Sequence, residues 1–169
     1  MTLADQLLAE FEAESVTTRK FLSRLPEDRL DWQPHPKSMS AGQLALHIAV
    51  SPGQIVGMAQ EDAFTMPEFR QERQRPASLR EVMAALDESI ATVRNVLPTF
   101  SDDRMHATWQ VTVSGKLLSM PRSAMLRNIL LNHWYHHRGQ LGVYLRLLGA
   151  SVPSSYGPSG DELPDFMNQ

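Results

Sequence analysis

The chain has 169 residues, 42% hydrophobic and 21% charged, with a formal net charge of −3 and no cysteine. That length suits one domain with a real core, and the missing cysteines exclude disulfides, thiolate metal sites and a protein thiol nucleophile. The slight acidity argues against a nucleic-acid partner, because phosphate affinity rests on clustered Lys and Arg. The densest basic stretch, Arg70 to Arg75, is interrupted by Gln71, Glu72 and Gln74 and reads as a solvated connector. The opening MTLADQLLAEFEAES lacks a basic n-region and carries acids within its apolar pattern, unlike a signal peptide. No apolar run approaches the roughly 18 residues of a membrane span. The expectation is a cytoplasmic protein without a membrane partner.

Four segments carry helical periodicity. The first runs from about residue 2 to 25, with Leu3, Leu7, Phe11, Thr18, Leu22 and Leu25 near one face and Pro26 just beyond. The second covers about residues 40 to 60, with Ser38 or Ser40 as N-cap. Pro52 inside it should kink or break the helix, because it removes the bond to Ile48 and crowds that carbonyl. The third, about 78 to 97, opens on an S-x-x-E capping box of Ser78 and Glu81. Its stripe is Leu79, Val82, Met83, Leu86, Ile90, Val93 and Leu97. The fourth, about 121 to 148, ends at Gly149 and at about 1.5 Å per residue is roughly 40 Å long.

The connections also carry information. Between the second and third helices, Phe64 to Ala77 is long for a simple turn and would let those helices run parallel. Trp109 to Val113 and Lys116 to Leu118 flank Ser114-Gly115, which suggests a short hairpin or an extended loop against a bundle end. The tail from 150 to 169 holds Pro153, Pro158 and Pro164 with Gly157 and Gly160, so an extended arm is expected rather than a fifth helix. The whole reads as a single domain, 1 to 169, of all-α class.

Six histidines are present: His35, His47, His106, His133, His136 and His137. On the fourth helix Leu126, Leu130, Leu141, Tyr144 and Leu148 define an inward stripe, and His133 and His137 fall within it one turn apart. Residues four apart share a face, close enough for both imidazoles to reach one metal ion. His136 lies about 100° round the helix, yet i,i+3 spacing leaves it as an alternative partner of His133. His47 sits between Leu44, Ile48 and Ser51 on the inward side of the second helix. Three histidines with an open position describe a catalytic metal site rather than a closed structural one. His35, in a Pro-His-Pro turn, and His106, in a polar loop, are not expected to be ligands.

With these residues in place the sequence resembles the DinB-like (YfiT-related) family of bacterial metalloenzyme-like proteins. Leu30 to Ala49, LDWQPHPKSMSAGQLALHIA, carries a Trp-x-Pro turn leading to His47. Asn132 to Gly149, NHWYHHRGQLGVYLRLLG, contains the H-x-x-H-H-R-G-Q-L run, and Val152 to Glu162 supplies VPSSYGPSGDE. The resemblance implies a four-helix bundle with up-down-down-up connections, often a homodimer, with metal-ligand roles at His47, His133 and His137. Related members include thiol-dependent transferases and isomerases acting on small molecules.

Three functional readings follow. The first is a divalent-metal enzyme that transfers a low-molecular-weight thiol to a small electrophile, the metal favouring the thiolate. The second is a metal-dependent hydrolase, for which Glu14, His136 and Gln140 are pocket-wall residues but no general base stands out. The third is a metal-binding bundle without turnover. Three imidazoles suit zinc first, with nickel, iron, cobalt or manganese as alternatives.

Overall fold

The computed structural model describes residues 1–67, 74–164 and 167. The chain is mostly helical: α1 (Leu3–Ser23), α2 (Ala41–Met58), α3 (Leu79–Val96), α4 (Asp102–His106), α5 (Arg122–Met125) and α6 (His133–Leu147). A π-helical segment, Leu126–Asn132, joins α5 to α6. Among the described residues three strands complete it: β1 (Ala63–Thr65), β2 (Thr108–Val113) and β3 (Lys116–Pro121). The expectation of an all-α chain is therefore corrected by a small mixed sheet in the order β1-β2-β3. The anticipated hairpin is its antiparallel half, pairing Thr108 with Pro121 and Val113 with Lys116. Its turn residues Ser114 and Gly115 both have positive φ, the twist a two-residue hairpin demands. Inside the crossover from Phe64 to Ala77, the start is not loop but strand. β1 pairs parallel to β2, matching Ala63 with Gln110, and adds the third strand. Trp109 and Val111 turn one face of β2 into the core, so the sheet has apolar support. The basic stretch Arg70 to Arg75 lies outside the described residues up to position 73.

The helix starts follow side-chain capping. Thr2 and Asp5 exchange bonds at the head of α1, and Ser40 and Gln43 do so at the head of α2. The box expected at Ser78 is half formed. Ser78 accepts from the Glu81 N–H, but the Glu81 carboxylate takes the Ala77 N–H at 2.7 Å instead. Helix α1 touches α3 and α6, and α2 touches the same two. Phe11, Leu22, Leu44, Ile48, Leu86, Leu97, Leu126 and Trp134 are buried in the core. Helices α2 and α3 approach closely at Gly53, whose N–H donates to Ser89 Oγ at 2.7 Å. A Cβ at Gly53 would meet that oxygen at 3.1 Å.

The fourth helical segment is not one α-helix. The His133 N–H bonds Asn128 O, an i to i−5 link that marks the wider turn. This bulge shifts the buried line away from the simple stripe. Leu126, Leu130, Trp134, Arg138, Leu141 and Leu145 are buried, while His133, His137 and Tyr144 are half-buried beside it. The segment ends as anticipated at Gly149, with φ 73° and the Ala150 N–H on Leu145 O at 3.0 Å. Residues 150–164 form no helix or strand, in keeping with an extended arm.

Two arginines close the far end of α2, whose last turn carries no base of its own. Arg122 is fully buried and donates to Ala59 O at 2.9 Å, Glu61 O at 3.2 Å and Asp62 Oδ1 at 2.5 Å. It also reaches Arg104 O at 2.7 Å, while Arg104 donates to Gln60 O. The carbonyls left over at a helix C-terminus are partners suited to a cation.

Pro52 does not break α2, which is continuous from Ala41 to Met58. An interior proline costs about 3 kcal/mol or more, partly because the carbonyl four residues earlier loses its donor. Here that carbonyl, Ile48 O, accepts the indole Nε1–H of Trp134 at 2.8 Å. Trp134 is 1% exposed and stacks on Phe11 at 5.0 Å, so the bond is dry and held from both sides. Trp134→Phe is expected to destabilise the protein by about 1–3 kcal/mol, the cost of a buried unpaired carbonyl. In a Pro52→Ala background, where residue 52 regains an N–H, the same change should cost measurably less in urea unfolding. Equal costs in the two backgrounds contradict this account.

Candidate metal centre

Three of the six histidines converge. His47 comes from α2, and His133 and His137 stand one turn apart on α6. Their Nε2 atoms face one another, His133 to His137 at 2.9 Å and His47 to His133 at 3.4 Å. All three ligand atoms lie within 4.8 Å of one another. The rings are pairwise perpendicular, at 87° to 89°. An ion about 2.0–2.1 Å from each nitrogen sets nitrogen separations of about 2.9 Å in octahedral geometry and 3.4 Å in tetrahedral geometry. The His133–His137 and His47–His133 separations lie within the range that one ion can span. A hydrogen can bridge only two such rings, whereas a cation takes all three lone pairs.

The supports differ for each ligand. Beside His47 is Ser51, whose Oγ lies 3.4 Å from Nδ1 and donates to the His47 carbonyl. His137 Nδ1 is 2.8 Å from Gln140 Oε1. His133 Nδ1 is buried with no hydrogen-bond partner among the described residues. Burial first, then the proximity of His137 and His136, pushes His133 down to about 4. It is therefore a neutral imidazole at neutral pH, the form that binds metal.

The remaining histidines stand apart from this focus. His136 is exposed and sits on Gln140 Nε2 at 3.0 Å through its own Nε2. It is outside the three-nitrogen cluster, so the alternative of His136 with His133 is not the one assembled. His35 is exposed, with its Nδ1 accepting the Lys37 N–H at 3.1 Å, and His106 is exposed with Nδ1 2.8 Å from Asp102 O. Neither joins the cluster.

Trp134 and Arg138 position the site without belonging to it. Trp134 ties α6 to Ile48, the residue next to His47. Arg138, 3% exposed, ties α6 to α1 and to the C-terminal arm. It pairs with the Glu14 carboxylate at 2.6 Å, approaches Thr18 Oγ1 at 3.3 Å and donates to the Tyr156 hydroxyl at 2.8 Å. The rings of Tyr135 and Tyr156 lie 5.3 Å from its guanidinium. A second clamp joins α1 to the π-helical segment, with Arg127 forked onto Glu10 at 2.6 and 2.7 Å. That arginine, followed by the Tyr135 hydroxyl, holds the Glu10 carboxyl below its usual range. Neither Trp134 nor Arg138 stands out from periodicity, because each follows a histidine on a half-polar helix. The available signal was Pro52, which creates a buried carbonyl in need of a donor.

Comparisons with known proteins agree with one another. A model of the DinB family matches residues 1–164. The uncharacterised protein YrdA of Bacillus subtilis (strain 168) is 26% identical over 162 residues, which is 96% of this chain and 93% of YrdA. A DinB-like protein from Bacillus cereus ATCC 10987 has a similar fold, with a TM-score of 0.69 at 24% identity over 90% of this chain and 97% of its own. The DinB-like protein YjoA of Bacillus subtilis gives a TM-score of 0.68 at 19% identity, over 89% of this chain and 97% of its own.

The depressed pKa of His133 has a consequence for metal-free protein. Between about 4 and 6.5 the unfolded chain holds a proton there that the folded chain does not, so stability rises with pH across that window. The melting temperature of metal-free protein should fall as pH drops from 6.5 toward 4, and less steeply in His133→Asn. A slope unchanged by that substitution contradicts the assignment.

Proposed function

Because this chain belongs to the DinB family, whose model spans residues 1–164, we propose that it is a divalent-metal enzyme with His47, His133 and His137 as ligands. Its reaction in this reading is transfer of a low-molecular-weight thiol to a small electrophilic substrate. The observation that carries the proposal is the convergence of three Nε2 atoms from α2 and α6 on one point. We read the four long helices as the up-down-down-up bundle of the family, with the site between the second and the last. The half-burial of all three histidines supports an open coordination position rather than a sealed structural one. A divalent ion held there supplies a Lewis acid that favours the thiolate form of a thiol cosubstrate at neutral pH. Zinc is the ion we assign, on the chemistry of a three-imidazole donor set.

The chain's own residues set the terms for that chemistry. The low pKa of His133 keeps its nitrogen lone pair available. Ser51 and Gln140 hold the outer nitrogens of His47 and His137. With no cysteine in the chain, the sulfur nucleophile comes from the cosubstrate. Glu14, named above as a pocket-wall residue, is bound to the Arg138 guanidinium at 2.6 Å.

Elemental analysis of purified protein should find about one divalent ion per chain, lost in His47→Ala, His133→Ala and His137→Ala. Thiol consumption with a panel of electrophiles should require that ion and stop on chelation. Stoichiometric metal in all three variants contradicts the site. Ester or amide cleavage without thiol contradicts the assigned reaction.

A further inference from the structure

Gln140 lies beside the cluster but is too far round α6 to be read as a ligand, and its two amide atoms are engaged differently. Oε1 is 2.8 Å from His137 Nδ1, and Nε2 is 3.0 Å from Nε2 of the exposed His136. An amide nitrogen only donates and an amide oxygen only accepts, so the amide as placed decides which ring nitrogens carry protons. His136 Nε2 accepts from the amide nitrogen, which leaves the amide oxygen facing His137. His137 Nδ1 must then carry the proton, and its Nε2 lone pair is directed at His133 Nε2, 2.9 Å away.

We propose that Gln140, oriented by His136, is a positioning residue that fixes His137 as the Nδ1–H tautomer with Nε2 aimed at the metal focus. The role of that focus rests on the function proposed above. The H-x-x-H-H-x-x-Q spacing then has a physical meaning beyond its ligands. Residues 133 and 137 reach the metal, 137 and 140 are one turn apart, and 136 and 140 are one turn apart. His136 thus acts two steps from the metal, through an amide. A reversed amide would place two donors nose to nose at His137, or require Nδ1 to accept and Nε2 to bear the proton, which blocks ligation.

The test compares wild type with Gln140→Leu, Gln140→Glu and His136→Ala in zinc competition titrations at one pH. Nitrogen-15 NMR of the histidine rings in the metal-free proteins gives a second readout. Gln140→Leu should bind zinc about 10- to 100-fold more weakly, and its His137 should become a mixture of tautomers. Gln140→Glu, which keeps an acceptor, should retain wild-type affinity or better and the single Nδ1–H tautomer. His136→Ala should show a smaller loss in the same direction. Equal affinity in wild type and Gln140→Leu, or an unchanged His137 tautomer in metal-free Gln140→Leu, overturns the proposal. So does a Gln140→Glu variant as weak as Gln140→Leu. A wild type that binds no zinc overturns the function proposed above, and the tautomer comparison then still decides for or against Gln140.

Discussion

One hydrogen bond organises this protein: the indole N–H of Trp134 on the carbonyl of Ile48. It exists because Pro52 has no N–H to give that carbonyl, so α2 carries an open acceptor in its buried middle. A donor from α6 fills it, and the two residues it joins are immediate neighbours of His47 and His133. The cross-link thereby sets how far apart the histidine-bearing helices lie. Imidazoles tolerate little error in that spacing, since three lone pairs must meet within a few tenths of an ångström to share an ion. A residue that looks like a helix breaker is a register pin.

Buried arginines complete the frame in the same manner. Arg138 is held by the Glu14 carboxylate, by Tyr156 and by surrounding rings, and it prevents α6 from rolling about its axis. Arg122 is held mainly by main-chain oxygens at the end of α2 and joins that end to the hairpin and to α4. A buried charge is costly unless paired and hydrogen-bonded, and both guanidiniums are. Each also spans elements distant in sequence, so the charge serves orientation more than local stability. The histidines need that orientation, because their side chains sit at the rim of the buried line and not within it.

Much of this was legible in the sequence, and the failures have identifiable causes. Caps at Ser40 and Ser78, apolar repeats and Gly149 are local signals, so the helix positions follow from them. The three histidines that the fold brings together are the ones that spacing and resemblance single out together, since i,i+4 spacing alone leaves His136 open. The π-helical turn before His133 has no local signature, and it displaced the buried stripe onto Trp134 and Arg138. Strand β1 has three residues and exists only by pairing with β2, some forty-five positions later, so no window along the chain reveals it. The lost bond to Ile48 is legible at Pro52, but the compensating donor comes from Trp134, 82 residues away.

In the proposed metal enzyme the α2–α6 cross-link delivers three imidazole nitrogens to one ion. X-ray absorption at the zinc edge of the stoichiometrically loaded protein tests it most directly. Three imidazole nitrogens at about 2.0–2.1 Å are expected, with the outer-ring scattering typical of histidine. A shell built from carboxylate oxygens, or one with fewer than three imidazoles, contradicts it.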